Sequence, residues 1–283
     1  MIKCPVCESE LHLAFKLSSD IYYCRSCSLY VAPQVRFNEN FHSAINQDEA
    51  YRALKDLRMS NFRQIVSVLK KELPQNGKGL DVGCSYGWFL ETCKNNGISC
   101  VGMEPEKALA EYARTNGHTV MSGFFPGDLD KNITHLGFII FNDVFEHIPD
   151  IHKTLESCYQ LLMPGGILVI NIPLSTGFFY RIAKLLSRFG MKKPMERMWQ
   201  LDFHSPHFHY FNKTNLTRLV ESKSFNLQHF HNLDTITRDS ITSRVSMNSK
   251  KNFGSRMTIV LLKIIQPLIR KMPGDIGCFY FKK

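Results

Sequence analysis

Three groups of side chains in this sequence have the types and spacing for chemistry. Cys4 and Cys7 in CPVC are followed, after sixteen residues, by Cys24 and Cys27 in CRSC, two Cys-x-x-Cys pairs flanking a short hairpin-like segment. Each pair bends the backbone so that two sulfurs face one point. Four thiolates leave a cation no open position, so structural zinc is the expected occupant and reduced, metal-free thiols are the alternative. The stretch GLDVGCSYGWFL, Gly79 to Leu90, ends an apolar run on Asp81 and turns through Gly83 and Gly87 into a helical pattern. Further on, FNDVFEHIPD supplies Asp143, Glu146 and His147, and WQLDFHSPHFHYF supplies His204, His207, His209 and Tyr210. These are acid, base and metal-ligand side chains.

The elements that must hold them follow from the hydrophobic pattern. With 283 residues, 44% of them hydrophobic, the chain can bury one α/β core and an appendage. Residues 1–35 form a small cysteine module, expected to have its own core, and residues 36–74 are polar and helical in pattern, a linker and cap. From residue 75 to 283, strand patterns (GLDVG, SCVGME, HTVMS, GFIIFND, GGILVINIP) alternate with helical stretches starting near Gly87, Glu106 and Ile151. This alternation predicts a parallel sheet covered by helices. Segments 175–210 and 235–273 read as insertions or lids. Cys84, Cys93, Cys100, Cys158 and Cys278 show no ligand spacing and read as buried small residues. No apolar run approaches the roughly 20 residues of a membrane span, and MIKCPVCESELH lacks the apolar core of a signal peptide, so a cytoplasmic location is expected.

The glycine turn can be read by elimination. A triphosphate loop would end in Gly-Lys-Ser/Thr, whereas Gly87 is followed by Trp88 and Phe89. A dinucleotide fingerprint would need a third glycine, and Asp81 at the strand end would repel phosphate. Glu104 closes the next strand pattern, 23 residues after Asp81, where a carboxylate can accept ribose hydroxyls. Asp81, Gly83 and Glu104 together suit an adenosyl ribose with a cationic amino-acid tail and no phosphates, which is S-adenosylmethionine (SAM).

On these residues the chain resembles the class I SAM-dependent methyltransferases from about Gly79 onward. LDVGCSYGWFL is similar to their first motif, Glu104 to their ribose-binding acid, FNDVFEHIPD to their fourth motif, and LLMPGGILVINIP to the helix, turn and strand after it. The resemblance implies a Rossmann-like sheet of seven strands with FNLQHF and GCFYFKK as its last antiparallel pair. It implies cofactor contacts from Asp81, Gly83, Cys84, Gly87, Glu104, Asn142 and Asp143. CPVC through CRSCSLYVAP and, behind the domain, HFHYFNKTNL resemble a bacterial branch with an amino-terminal zinc ribbon that methylates sugars or other small metabolites. Ser28, where such ribbons usually carry Gly, and Gly137, where the fold usually has Asp, depart from the pattern.

Methyl transfer is an in-line displacement, so a hydroxyl or acidic-carbon acceptor needs a base. His147, with Glu146, is the preferred one, and His209 with Tyr210 is expected to meet the acceptor or move its proton, with loop packing and metal binding by that segment's histidines as the alternatives. Capping and pocket shaping remain the alternative for Glu146 and His147, as does a divalent ion on Asp143, Glu146 and His147 of the kind ubiquinone-type O-methyltransferases hold.

The expected acceptor is a small molecule, sugar or lipid-linked saccharide. Charge keeps other partners open. The total is +10, and Thr176 to Pro273 holds 17 Lys and Arg against 5 Asp and Glu, a balance of +12 that leaves −2 elsewhere. A peripheral contact with the inner membrane surface would use GFFYRIAKLLSRFGMKKPMERMW and a basic amphipathic helix expected around 256–272, the alternatives being a lid helix over the pocket for the first and a helix packed on the domain, the preferred reading, for the second. A zinc-ribbon RNA methyltransferase is the second reading, less favoured because the ribbon is all-Cys and no aromatic stacking motif accompanies the basic residues. A non-catalytic cofactor-binding protein is the third. Acceptor identity and oligomeric state are not legible.

Overall fold

Seven strands form one sheet in the computed structural model, which describes residues 2–37, 54–74, 77–235 and 272–283. In chain order these are β4 (Gly79–Val82), β5 (Cys100–Glu104), β6 (Val120–Ser122), β7 (Leu136–Asn142), β8 (Leu162–Pro173), β10 (Asn226–Leu233) and β11 (Ile276–Lys282). Their spatial order is β10-β11-β8-β7-β4-β5-β6. The five from β6 to β8 run parallel, and β11 is antiparallel to both β8 and β10. The expected Rossmann-like sheet is thus present, with the expected closing pair.

All seven residues of β7 are buried, as a central parallel strand with both faces covered requires. Alternate side chains serve opposite layers. Phe138 and Ile140 pack with Phe62, Ile65 and Leu69 of helix α1 (Lys55–Glu72). Ile139 and Phe141 join the core on the other face, with Ile151 and Leu155 of α4 (Ile151–Leu161). Helices α2 (Trp88–Lys94) and α3 (Lys107–Thr115) complete the crossovers. Gly137 is accounted for by close approach: a Cβ there would lie 2.4 Å from Gly77 Cα, so only a residue without a side chain fits.

The cysteine module departs from expectation in one respect: it has no core of its own. Strands β1 (Leu11–Lys16), β2 (Asp20–Cys24) and β3 (Tyr30–Val31) continue into β9 (His209–Tyr210), giving a second sheet of order β1-β2-β3-β9. Cys4, Leu11, Cys24, Leu29 and Val31 belong to the same apolar cluster as Phe141, Ile170 and Phe211. Polar ties reinforce the seam. Asn215 donates to Cys27 O (3.1 Å) from α7 (Lys213–Glu221), and His152 on α4 meets Pro5 O (2.7 Å). A module of about 35 residues is too small to bury a core unaided, so its apolar face finds the larger domain.

Segment 175–210 forms α5 (Phe178–Arg188) and α6 (Lys193–Met198), both packed beside the cysteine module. The amphipathic helix expected around 256–272 lies outside the described residues, apart from its last position.

Candidate functional site

Two clusters flank the carboxyl ends of β4, β5 and β7, where open α/β sheets bind ligands. The first is the glycine turn. Gly83 and Gly87 both have left-handed backbone (φ +73° and +76°), so the chain reverses and enters α2 within a few residues. Gly83 N–H and Cys84 N–H both donate to Met103 O (2.8 and 3.1 Å), stitching the turn to β5. Glu104 then accepts from Ser85 N–H (2.8 Å) and Glu106 N–H (3.0 Å), so one carboxylate fastens both loops that border the site. Cys84 turns its side chain into the core with Leu90 and Ala110, which leaves its backbone at the turn.

Asp81 is buried at the end of β4 and accepts from Asn142 Nδ2 (3.3 Å). Burial, opposed by that hydrogen bond and assisted by Glu104, raises its carboxyl to about 8. Burial raises Glu104 as well. Asn142 Oδ1 is buried and has no hydrogen-bond partner among the described residues. Two desolvated carboxyls and an orphaned amide oxygen fit a cationic ligand, whose charge would restore Asp81 to its ionised form. Asp143, at φ +54°, sits one residue on and pairs with Arg58 Nη1 at 3.0 Å. Arg58 was not legible as a site residue. It is one cation on a helix that reads as linker, and only the tertiary fold brings it over β7.

The second cluster lies just past β7. Glu146 and His147 occupy a single 3-10 turn, Phe145–His147, and loop 199–211 is bound to it by Phe208 N–H donating to Glu146 O (2.9 Å). His147 Nδ1 meets Pro206 O (3.0 Å) and Ser205 Oγ (3.1 Å), leaving Nε2 directed to Glu146 Oε1 at 4.0 Å. The His207 ring stands edge-on to His147 at 4.6 Å and 5.4 Å from Tyr210. Both His207 ring nitrogens and Glu146 Oε2 are buried without hydrogen-bond partners among the described residues. Burial holds His147 down to about 4 and His207 well below its usual range, so both imidazoles are neutral. Burial, with Asp143 nearby, raises the Glu146 carboxyl well above the usual range.

Of the residues expected at this site, Glu146, His147 and Tyr210 gather around His207. His209 stands elsewhere: its ring lies 5.6 Å from Phe211, and its pKa falls to about 4 through burial, with His152 beside it. His204 is exposed next to Phe37 (6.5 Å), in an aromatic group with Phe124 and Phe208.

The four cysteine sulfurs of the amino-terminal module lie within 4.8 Å of one another, with Cys4 Sγ 3.5 Å from Cys27 Sγ and Cys7 Sγ 3.3 Å from Cys24 Sγ. A tetrahedral zinc with Zn–S of about 2.3 Å has sulfurs about 3.8 Å apart, so the donor set fits that ion.

A family model described as a methyltransferase domain matches residues 51–229. The C-methyltransferase NovU of Streptomyces niveus is 25% identical over 226 residues, 76% of this chain and 48% of that protein. The mitochondrial ubiquinone biosynthesis O-methyltransferase of Rattus norvegicus is 29% identical over 125 residues, 39% of this chain and 34% of its own length. The chain thus spans about half the length, or less, of these curated relatives. A crystal structure of a SAM-dependent methyltransferase from Thermotoga maritima superposes with a TM-score of 0.53, 17% identity, and coverage of 84% of this chain and 95% of that one. With the family match extending over well more than half of its residues, the chain belongs to the methyltransferase-domain family.

Proposed function

We propose that this enzyme methylates a small-molecule, sugar or lipid-linked saccharide acceptor, with His147 and His207 as the groups that take the acceptor's proton. The observation that carries this reading is the pair of neutral imidazoles at 4.6 Å, His147 half-buried and His207 buried, with both nitrogens of His207 unpartnered among the described residues. A buried donor or acceptor left unpaired costs about 1–3 kcal/mol, and such a penalty is tolerated where a ligand relieves it.

SAM supplies an electrophilic methyl group on a sulfonium. Asp81, Asn142 and Glu104 would hold its cationic and ribose parts, beside the left-handed turns at Gly83 and Gly87. Loop 199–211 closes the acceptor side and keeps it dry, which raises the basicity of any anion formed there. His147 donates from Nδ1 to Pro206 O, which orients Nε2 inward, and His207 has a free nitrogen for the acceptor proton. Phe37 and Phe124, exposed beside the buried Phe208, offer ring faces to the apolar faces of a sugar.

A specific observation favours a second reading of the same cluster: ligand atoms of Glu146, His147 and His207 lie within 4.8 Å of one another, a two-His, one-carboxylate set suited to a divalent ion that would acidify the acceptor. The four cysteines would hold a structural zinc in either case.

The experiment uses methyl-labelled SAM and fractionated cell extract. Label in a soluble or lipid-linked saccharide pool is expected, and label in RNA would overturn the acceptor assignment. His207→Ala should then lower kcat by about 10²–10⁴ with SAM affinity unchanged by calorimetry. Activity that survives exhaustive chelation with the Cys-bound zinc retained would eliminate the divalent-ion reading.

A further inference from the structure

Helix α5 is apolar on two opposite faces, and only one of them is covered by described residues. Tyr180 and Ala183 point inward and pack with Tyr30, Trp199 and Tyr210. Lys184 fastens the helix from the side, its Nζ donating to Tyr30 Oη at 2.7 Å. Spaced four, three and four residues apart, Phe178, Ile182, Leu185 and Phe189 share a stripe on the other side. Ile182 is 38% exposed, Leu185 52%, Phe189 74% and the neighbouring Met191 50%. Arg181 and Arg188 border the stripe, with Lys192 and Lys193 just beyond its end, and all four cations are exposed. A lid helix with a solvated outer face would carry polar residues there. Single exposed apolar residues are ordinary, but a row of them is a contact surface.

The geometry points to an anionic lipid bilayer as what covers this row. Charge complementarity selects the occupant: the flanking charges are all positive, which suits anionic headgroups, while the apolar row suits the acyl boundary beneath them. A second copy of this face would bring eight like charges together. The helix needs no span to do this, and no described helix is long and apolar enough to cross a membrane. Tyr180 on the inner face touches Tyr210 at 4.3 Å, so the seated face backs directly onto the acceptor-side wall. This inference does not depend on the acceptor's identity.

The test is flotation of the full chain with phosphatidylglycerol/phosphatidylcholine vesicles against phosphatidylcholine alone, in low salt. Binding to the anionic vesicles only is expected. Each of Arg181→Gln, Arg188→Gln, Lys192→Gln and Lys193→Gln should weaken partition about fivefold. Leu185→Ser with Phe189→Ser should abolish it while leaving the melting temperature and SAM affinity as in the parent, since both side chains face solvent. Absence of flotation with anionic vesicles overturns the inference. So does undiminished binding of the serine variant, which would place the lipid contact elsewhere, for example on the basic residues between 236 and 271. A parent dimer in light scattering that the serine variant loses, without vesicle binding, would identify a second copy as the occupant.

Discussion

Tyr30 of the cysteine module lies directly opposite Tyr210 of the acceptor-side loop in an antiparallel pair, and Tyr180 packs against both rings. The cysteine module therefore forms one wall of the proposed acceptor site. Cys24→Ser should abolish zinc retention and also flatten the near-ultraviolet dichroism of Tyr30, Tyr180, Trp199 and Tyr210. SAM affinity should survive within a fewfold, because Asp81 and Glu104 sit on β4 and β5 of the other, seven-stranded sheet. Metal analysis, dichroism and calorimetry on one preparation check all three. A variant with intact aromatic dichroism would show that the seam is indifferent to the metal.

Asp81 should trade stability for binding. Its carboxyl rises from 3.8 to about 8 on folding without a ligand, so the unfolded chain ionises first and stability is lost progressively as pH rises from about 4 to about 8. Each pKa unit corresponds to about 1.4 kcal/mol, and each kcal/mol to about 2–4 °C for a domain of this size. Asp81→Asn without ligand should therefore melt several degrees above the parent at pH 8 and level with it near pH 4. Its SAM affinity should fall at least tenfold, and the parent's affinity should rise between pH 6 and pH 9. Melting curves and titrations at four pH values decide the matter.

Glu104→Gln should weaken SAM binding by about 1.5–3 kcal/mol, through loss of a charge-assisted acceptor. It should also loosen the turn, since an amide has one oxygen for the two N–H groups of Ser85 and Glu106. Faster amide exchange at Ser85 would accompany the loss. Unchanged affinity would remove Glu104 from the cofactor site.

The two histidines two residues apart should part cleanly. His207→Ala should lose turnover and keep its fold. His209→Ala should keep kcat within a fewfold and lose about 1–3 kcal/mol of stability from its buried position. Because burial holds His147 at about 4, the acid limb of kcat should fall only below about pH 5, well beneath the usual histidine range. Steady-state rates from pH 4 to 9 test this.

Gly137→Asp, the residue usual at this point of the fold, should destabilise by several kcal/mol, since its Cβ would enter Gly77 at 2.4 Å. Ser28→Gly should be nearly neutral. It relieves a left-handed backbone (φ +62°) worth about 1 kcal/mol but deletes the Tyr23 Oη to Ser28 Oγ bond (2.9 Å) of similar size. Denaturant melts measure both.

What could be read in advance was local. The turn from Asp81 through Gly87, the strand-helix alternation and the two Cys-x-x-Cys pairs are short-range patterns set by backbone and ligand geometry. Three features depend on contacts with no local trace. The Tyr30–Tyr210 pairing joins residues 180 positions apart. Arg58 reaches Asp143 across the sheet. His207, rather than His209, meets His147, its ring 4.6 Å away, and the local sequence has no feature that distinguishes the two histidines.

The same seam bears on how the chain assembles during synthesis. Tyr30 and Val31 leave the ribosome roughly 10 to 40 s before His209 and Tyr210 at 5–20 residues per second, so the outer edge of the nascent hairpin waits without its native neighbour. An unpaired edge recruits foreign strands in proportion to its length and flatness. At two residues, this one offers a stranger almost no ladder to extend, and its aromatic and aliphatic side chains gain their burial only when the late-arriving segment docks.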